Sequence, residues 1–165
     1  MPIGHDDLKP HLSAAEEAFR YGGQSHEAGL DVSSAELVQL RKACRLLSGA
    51  HELVADGYYT LTIEAAFTSI ERSLLSWLIS EGNHDPSQPP GSHTTAIRRS
   101  AEAGYITEEV ATKLEELWKN NRAQTYYQDG IATAERADAL LSLAAEIHSQ
   151  VLNLAGYRHE CLCKQ

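Results

Sequence analysis

The sequence predicts an all-α fold, an antiparallel bundle of about five helices. Apolar residues recur every three or four positions over long segments, which is the period of a helix face. No segment shows the alternation of apolar and polar residues that is typical of a half-buried strand. Gly-rich and Pro-rich stretches separate the helical patterns. Because some of these connections are short, consecutive helices are expected to be antiparallel neighbours.

Two long helices form the first part of the predicted bundle. The first lies within 33–57, where Ser33 and Glu36 have the spacing of a capping box and Gly57 ends the pattern. Its apolar face consists of Leu37, Leu40, Cys44, Leu47, His51 and Val54. The second lies within 58–82, and its apolar face consists of Ile63, Phe67, Ile70, Leu74 and Leu78. Since only Gly57 separates them, we expect a helical hairpin.

The other helices follow a Pro-rich loop at 82–92. A short helix is expected over about 94–103. Thr107 then caps a helix whose apolar stripe is Val110, Leu114, Leu117 and Trp118. Thr133 caps the last helix, with an apolar face of Leu140, Ala144, Ile147, Val151 and Leu154. The predicted organisation is an N-terminal helix and Gly-rich connection (1–32), the bundle (33–157) and a C-terminal tail (158–165).

The composition is acidic. The 165 residues include 23 acidic and 14 basic side chains, for a net charge of −9. This balance argues against broad nonspecific binding of nucleic acid, because such binding needs a basic surface. It permits a small basic site. It suits a high-salt cytoplasm as well as an ordinary acidic protein. With no signal-peptide pattern and no apolar run of about 18 residues, we expect a cytoplasmic protein without a membrane span.

The stretch "NNRAQTYY" at 120–127 is the main candidate site. On its helix, Asn121 falls near the centre of the apolar face, and Arg122 falls at its edge, one turn after Trp118 and one turn before Tyr126. A core-facing amide needs a hydrogen-bonding partner, from a neighbouring helix, a second subunit or a ligand. Arg122 can bind phosphate bidentately, with Trp118 or Tyr126 stacked on its guanidinium. The alternative is that Asn121 and Arg122 complete a helix end and pair with an acid.

Several segments resemble the HEPN superfamily, an all-α family that is commonly dimeric. They are "ACRLLSGAHELVADGYYTLTIEAAFTSIERSLLSWLI", "AIRRSAEAGYITEEVATKLEELWKNNRAQTYY" and the closing helix, from about residue 35 to 156. The family marker is an Arg, usually followed by a polar residue, then four to six residues and a His. Paired motifs from two subunits form a metal-independent ribonuclease site in members that cut RNA. The resemblance implies that Arg122 is the motif arginine.

The chain departs from this motif at two positions. Tyr127 stands where the simplest motif has His, and the polar neighbour of Arg122 precedes it, as Asn121. A His moves protons near neutral pH, whereas the ordinary pKa of Tyr is about 10. The resemblance therefore implies an RNA-directed protein that binds RNA or acts as a divergent toxin-type ribonuclease, with Arg122 and Tyr127 as the catalytic candidates. The alternative is a dimeric interaction module that pairs with an antitoxin or a nucleotidyltransferase, since some members carry a Tyr that such a partner modifies.

The cysteines and the other histidines do not complete a second predicted site. His159, Cys161 and Cys163 are potential metal ligands in the tail, but a structural zinc usually takes four ligands and the sequence shows no second pair. No metal site and no cofactor are therefore expected. Three cysteines do not make a disulfide framework. His51 is interpreted as a core histidine, while Arg98 and Arg99 either extend a basic patch towards Arg122 or lie on a solvated helix face.

Overall fold

The computed structural model of the chain describes residues 4–121 and 130–163. In these ranges the secondary structure is entirely helical, which confirms the predicted all-α class. The helices are α1 (His5–Tyr21), α2 (Ala35–Ala55), α3 (Tyr59–Ser80), α4 (Thr95–Glu102), α5 (Glu108–Asn121) and α6 (Ala134–Ala155). A short 3₁₀ helix, Arg158–Glu160, follows α6. None of the described helices combines the length and apolar character that crossing a membrane requires.

The chain divides into two compact units, Met1–Asp31 and Val32–Gln165. The first contains α1, whose large apolar side chains are exposed: Leu8, Leu12, Phe19 and Tyr21. The second contains α2 to α6, and its centre is α3, which packs against α2, α4 and α6. The hairpin between α2 and α3 turns at Gly57, whose φ of 80° is unfavourable for a residue with a Cβ. There the Tyr58 N–H donates to the Leu53 carbonyl at 2.9 Å.

Most of the predicted apolar faces form the core of the second unit. The fully buried side chains include Leu40 and Cys44 on α2, and Ile70, Leu74 and Leu78 on α3. Burying a side chain of this kind contributes about 1.5–3 kcal/mol relative to leaving it exposed. The amphipathic pattern therefore identified the helix faces that pack together.

Other residues of the predicted faces lie at the edge of the core. His51 is exposed, so its interpretation as a core histidine is wrong. Phe67 is only half-buried, while Val110 and Leu117 on α5 are 42% and 46% exposed. The physical reason is that α5 packs mainly against α4, which leaves part of its apolar stripe uncovered. Leu154 near the end of α6 is also exposed, at 63%.

Two of the predicted helix caps are confirmed. The Thr107 hydroxyl accepts the Val110 N–H at 3.2 Å, and the Thr133 hydroxyl accepts the Arg136 N–H at 3.3 Å. The predicted capping box at the start of α2 is wrong. The N-cap is Ser34, and its side chain makes no capping hydrogen bond.

Candidate functional site

A groove of about 420 Å³ lies between α3, α5 and α6 at the C-terminal end of α5. We call it the α5 groove. Its apolar wall is formed by Ile63, Phe67, Leu117, Leu140 and Leu143. Its polar residues are Asn120, Asn121 and Arg136. The groove therefore combines an apolar surface with amide groups and one cation, and it adjoins the predicted site in the sequence.

The structure brings two of the predicted site residues together beside this groove. Asn121 is half-buried, lines the α5 groove and also lines a smaller cavity that it shares with Trp118 and His93. The Trp118 ring lies 6.2 Å from the Phe67 ring and 5.2 Å from the His93 ring, between centroids. Trp118 thus packs on α3. The predicted residues Arg122, Tyr126 and Tyr127 lie outside the described residues.

Arg136 differs from the other arginines described in the second unit. It is exposed in the first turn of α6, and its guanidinium has no hydrogen bond or ion pair among the described residues. By contrast, Arg98 pairs with two glutamates, and the Glu115 carboxylate contributes most to raising its pKa. The two carboxylates therefore neutralise the charge of Arg98, so Arg98 does not supply a cation for binding an anionic ligand. Arg136 was missed by sequence reasoning because no motif marks it, and only the packing of α6 against α3 brings it to the groove.

A second group of chemically reactive side chains lies elsewhere in the same unit. It consists of Cys44 on α2, His148 on α6, and Cys161 and Cys163 after the 3₁₀ helix, and we call it the sulfur cluster. The Cys44 Sγ lies 3.3 Å from the His148 Nε2 and 3.7 Å from the Cys161 Sγ. The Cys161 Sγ is 3.7 Å from the His148 Nε2. All four ligand atoms lie within 4.8 Å of one another.

Hydrogen bonds orient the members of the sulfur cluster. The Ser73 hydroxyl on α3 lies 2.9 Å from His148 Nδ1, so the Nε2 atom faces the sulfurs. The Leu162 N–H donates to the Cys44 sulfur and the Cys163 N–H to the Cys161 sulfur, both at 3.3 Å. Ser73 and Cys44 are fully buried, and His148 is 3% exposed. These contacts hold the imidazole and two sulfurs in fixed positions.

The three thiols of the sulfur cluster differ in acidity. The hydrogen bond from the Cys163 thiol, helped by His148 and the Leu162 N–H, lowers the pKa of Cys44 to about 4 despite burial. The same hydrogen bond contributes most to raising the pKa of Cys163. Burial contributes most to raising the pKa of Cys161. At neutral pH this arrangement favours one thiolate, at Cys44, which is the form that binds metals and acts as a nucleophile.

The segment after α6 is held in place by polar contacts. Glu160 forms an ion pair with Arg41 on α2 at 2.5 Å, and Arg158 donates to the Asn153 side chain at 2.7 Å. Beside this segment, a cavity of about 390 Å³ between α2 and α6 reaches His148, Cys161 and Cys163. The cavity leaves one side of the sulfur cluster accessible to small ions.

The structure corrects the interpretation of the C-terminal tail. Cys161 and Cys163 do have a second pair of potential ligands, Cys44 and His148, so the predicted lack of one is wrong. His159 does not belong to the cluster, because its side chain is 74% exposed and lies near Glu160. The one available signal in the sequence was Cys44 on an apolar helix face, where a buried thiol is ordinary.

Comparison with known proteins places the chain in a family. The chain belongs to the family described as a domain of unknown function (DUF8154), whose model matches residues 3–163. That description names neither a ligand nor a reaction. No curated protein and no solved structure matches the chain.

Proposed function

We propose that the protein is an HEPN-like, RNA-directed protein that binds the RNA backbone at the α5 groove. The observation that carries the proposal is the Arg136 guanidinium, which is unpaired among the described residues and lines the groove together with Asn121. Arg122, the residue that the HEPN resemblance makes the motif arginine, directly follows Asn121 in the chain. In this proposal, Arg136 and Arg122 both contact the RNA backbone.

The chemistry of the groove suits a single-stranded nucleic acid. A guanidinium presents a planar set of donors that matches two phosphate oxygens. The apolar wall around Phe67 offers a surface on which a base can pack, and the amides of Asn120 and Asn121 can hydrogen-bond a base edge. Because the whole chain carries a net charge of −9, the affinity is modest. It falls as the salt concentration rises, because the arginine contacts to phosphate release counterions.

The proposed activity is binding with little or no cleavage. Metal-independent RNA cleavage needs a group that removes a proton from the 2′-hydroxyl near neutral pH. Tyr127 occupies the motif His position, and a Tyr with an ordinary pKa of about 10 is a weak base at neutral pH. Tyr127 and Tyr126 are proposed to hydrogen-bond or stack on the bound RNA rather than to transfer protons.

Fluorescence anisotropy with a labelled single-stranded RNA, over a series of salt concentrations, tests this proposal. Arg122→Ala and Arg136→Ala should each weaken binding by about tenfold or more, as expected for a charge-assisted contact of about 1.5–3 kcal/mol. Each should also reduce the salt slope by about one. Arg158→Ala is the charge-matched control, because Arg158 bonds Asn153 and does not line the groove. Equal affinities in all three variants would contradict the proposal.

The same protein samples decide whether the RNA is cut. We expect no cleavage products from the native chain at neutral pH, with or without added Mg²⁺. Robust metal-independent cleavage that Tyr127→Phe abolishes would make Tyr127 catalytic and would replace the binding proposal by a ribonuclease.

A second candidate function is a dimeric interaction module that pairs with a protein such as a nucleotidyltransferase. It is favoured by Val110 and Leu117, which lie seven residues apart on α5, on one helix face, and are 42% and 46% exposed. A second subunit covering this face would place two copies of the α5 groove together. Sedimentation equilibrium of the RNA-free chain, together with the RNA-binding assay, tests this candidate. A dimer that Leu117→Glu dissociates, without RNA binding, supports the module, while a single 18.1 kDa species excludes the dimer.

A further inference from the structure

We propose that Cys44, His148, Cys161 and Cys163 bind one Zn²⁺ ion. The four side chains come from three separate parts of the chain and converge on one point, with all ligand atoms within 4.8 Å of one another. Three sulfurs and one imidazole nitrogen are one of the usual ligand sets of structural zinc. This site is independent of the α5 groove and of RNA.

Three distances in the sulfur cluster, those among Cys44, Cys161 and His148, are close to the edges of a zinc tetrahedron. With Zn–S of about 2.3 Å and Zn–N of about 2.0 Å, tetrahedral zinc holds its sulfurs about 3.8 Å apart and its nitrogen about 3.5 Å from each sulfur. The Cys44 and Cys161 sulfurs are 3.7 Å apart, and they lie 3.3 Å and 3.7 Å from the His148 Nε2. A shared ion explains why these atoms face one another across a buried space.

The surroundings of the cluster are those of a metal site. A histidine that binds zinc usually donates its other ring N–H to a fixed acceptor, and Ser73 Oγ lies 2.9 Å from His148 Nδ1. With the proton on Nδ1, the Nε2 lone pair is free for the ion. The N–H groups of Leu162 and Cys163 donate to two of the sulfurs and offset part of the negative charge of the thiolates.

A disulfide does not account for the same geometry. A disulfide joins two of the three sulfurs at about 2.05 Å and leaves the third sulfur and the imidazole without a role. Soft thiolate and imidazole ligands prefer zinc to the oxygen-binding cations Mg²⁺ and Ca²⁺. Zinc binds cysteine as the thiolate. Any of the three cysteines that is still protonated therefore releases its proton to solvent when zinc binds.

The ion has a structural role in this proposal. Four protein ligands close the coordination shell and leave no position for a substrate. Cys44 and Cys161 are 117 residues apart, so the ion cross-links α2 to the segment after α6 and closes a long loop. Such a cross-link restricts the unfolded chain and stabilises the folded state. The ion pair between Arg41 and Glu160 already holds this segment close to α2.

Metal analysis of the full chain tests the proposal directly. The reduced protein is incubated with ZnCl₂, desalted and measured by mass spectrometry of the metal, and a parallel sample is loaded with Co²⁺. We expect one zinc per chain, and for cobalt a thiolate-to-metal charge-transfer band with the strong visible absorption of a tetrahedral site. Cys161→Ser and Cys163→Ser each remove one of the four proposed ligands. They should each weaken zinc binding by more than the roughly 10–100-fold that is typical of losing a hydrogen-bond partner of a ligand, and should reduce the charge-transfer band.

A matched control separates the site from its neighbourhood. His159→Ala removes a potential ligand from the same segment, but its side chain is 74% exposed and outside the cluster, so it should bind zinc like the native chain. Cys161 and Cys163 are half-buried and lie outside the α-helices, so circular dichroism should show unchanged helix content in the serine variants. The proposal would be overturned if the reduced native chain retained no zinc after desalting and the cobalt-loaded sample showed no charge-transfer band. Serine variants that fold and bind zinc as tightly as the native chain would do the same.

Discussion

The α5 groove and the sulfur cluster differ in how their side chains are held. In the sulfur cluster, Cys44 and His148 are buried and in contact with each other, and the buried Ser73 lies against His148. In the α5 groove, Leu117 is 46% exposed and Arg136 is exposed, with no guanidinium partner among the described residues. Buried side-chain contacts therefore hold the first region, whereas the second is an open surface.

This difference separates two ways in which a sequence encodes a site. The α5 groove is lined by Asn120 and Asn121, which begin the continuous stretch "NNRAQTYY" in the sequence. The sulfur cluster is assembled from residues more than a hundred positions apart, and it exists only once α2 and α6 have packed. A local motif can be recognised in the sequence alone. A cluster formed by long-range packing is visible only after folding.

The largest expected effect compares the centre of α3 with the side that faces α5. Leu74 is 1% exposed, so Leu74→Ala should lower the free energy of unfolding by about 2–5 kcal/mol. Phe67 is half-buried beside Trp118, so Phe67→Ala should cost only about 1–2 kcal/mol, below the 3–5 kcal/mol of a fully buried Phe. Urea denaturation of both variants measures the difference.

The order of these two effects is the informative result. If Phe67→Ala lowers the free energy of unfolding as much as Leu74→Ala does, the side of α3 that faces α5 is as tightly packed as its centre. The expected difference between these two parts of α3 is then absent. The slope of each denaturation curve should match the native chain, since neither change alters the surface exposed on unfolding by much.

A smaller effect is expected at the partner of His148, and it depends on the zinc proposal. Ser73→Ala removes the group that lies against His148 Nδ1 and should weaken zinc binding by about 10–100-fold. Ser69→Ala is the matched control, because Ser69 is also buried on α3 but its hydroxyl donates to the Ala43 carbonyl. Zinc competition titrations of both variants should therefore differ. Equal affinities would show that the orientation of His148 does not depend on Ser73.

The smallest effect concerns the helix start that carries Arg136. The Thr133 hydroxyl caps α6, so Thr133→Ala should cost about 1 kcal/mol of stability. Ser34→Ala removes the hydroxyl from an N-cap residue that makes no capping hydrogen bond, and its cost should be smaller. Thermal unfolding of the two variants measures both. A larger loss of stability in Ser34→Ala than in Thr133→Ala would contradict the finding that Thr133, and not Ser34, makes a capping hydrogen bond.

The helices and two of their caps were predictable because local interactions determine them. A helix face repeats every 3.6 residues, and a Thr cap bonds an N–H only three residues later. The all-α class, the hairpin turn at Gly57 and the caps at Thr107 and Thr133 follow from such short-range rules.

The degree of burial was less predictable than the helix faces. Periodicity identifies the apolar side of a helix but not how much of that side a neighbour covers. It therefore placed His51 and Phe67 in the core, where the structure has an exposed and a half-buried side chain. It did not single out His148, which is buried on α6 because Ser73 and Cys44 provide polar partners there.

By itself, the sequence determined the helical class, the helix faces and the continuous stretch that holds Asn121 and Arg122. Only the tertiary structure decided that Arg136 joins Asn121 in one groove and that Cys44 and His148 meet Cys161 and Cys163. The physical reason is the separation, along the chain, of the residues that interact. Helix periods and caps arise between residues three or four positions apart, whereas the sulfur cluster depends on three helices and the segment after α6 meeting across more than a hundred residues of chain.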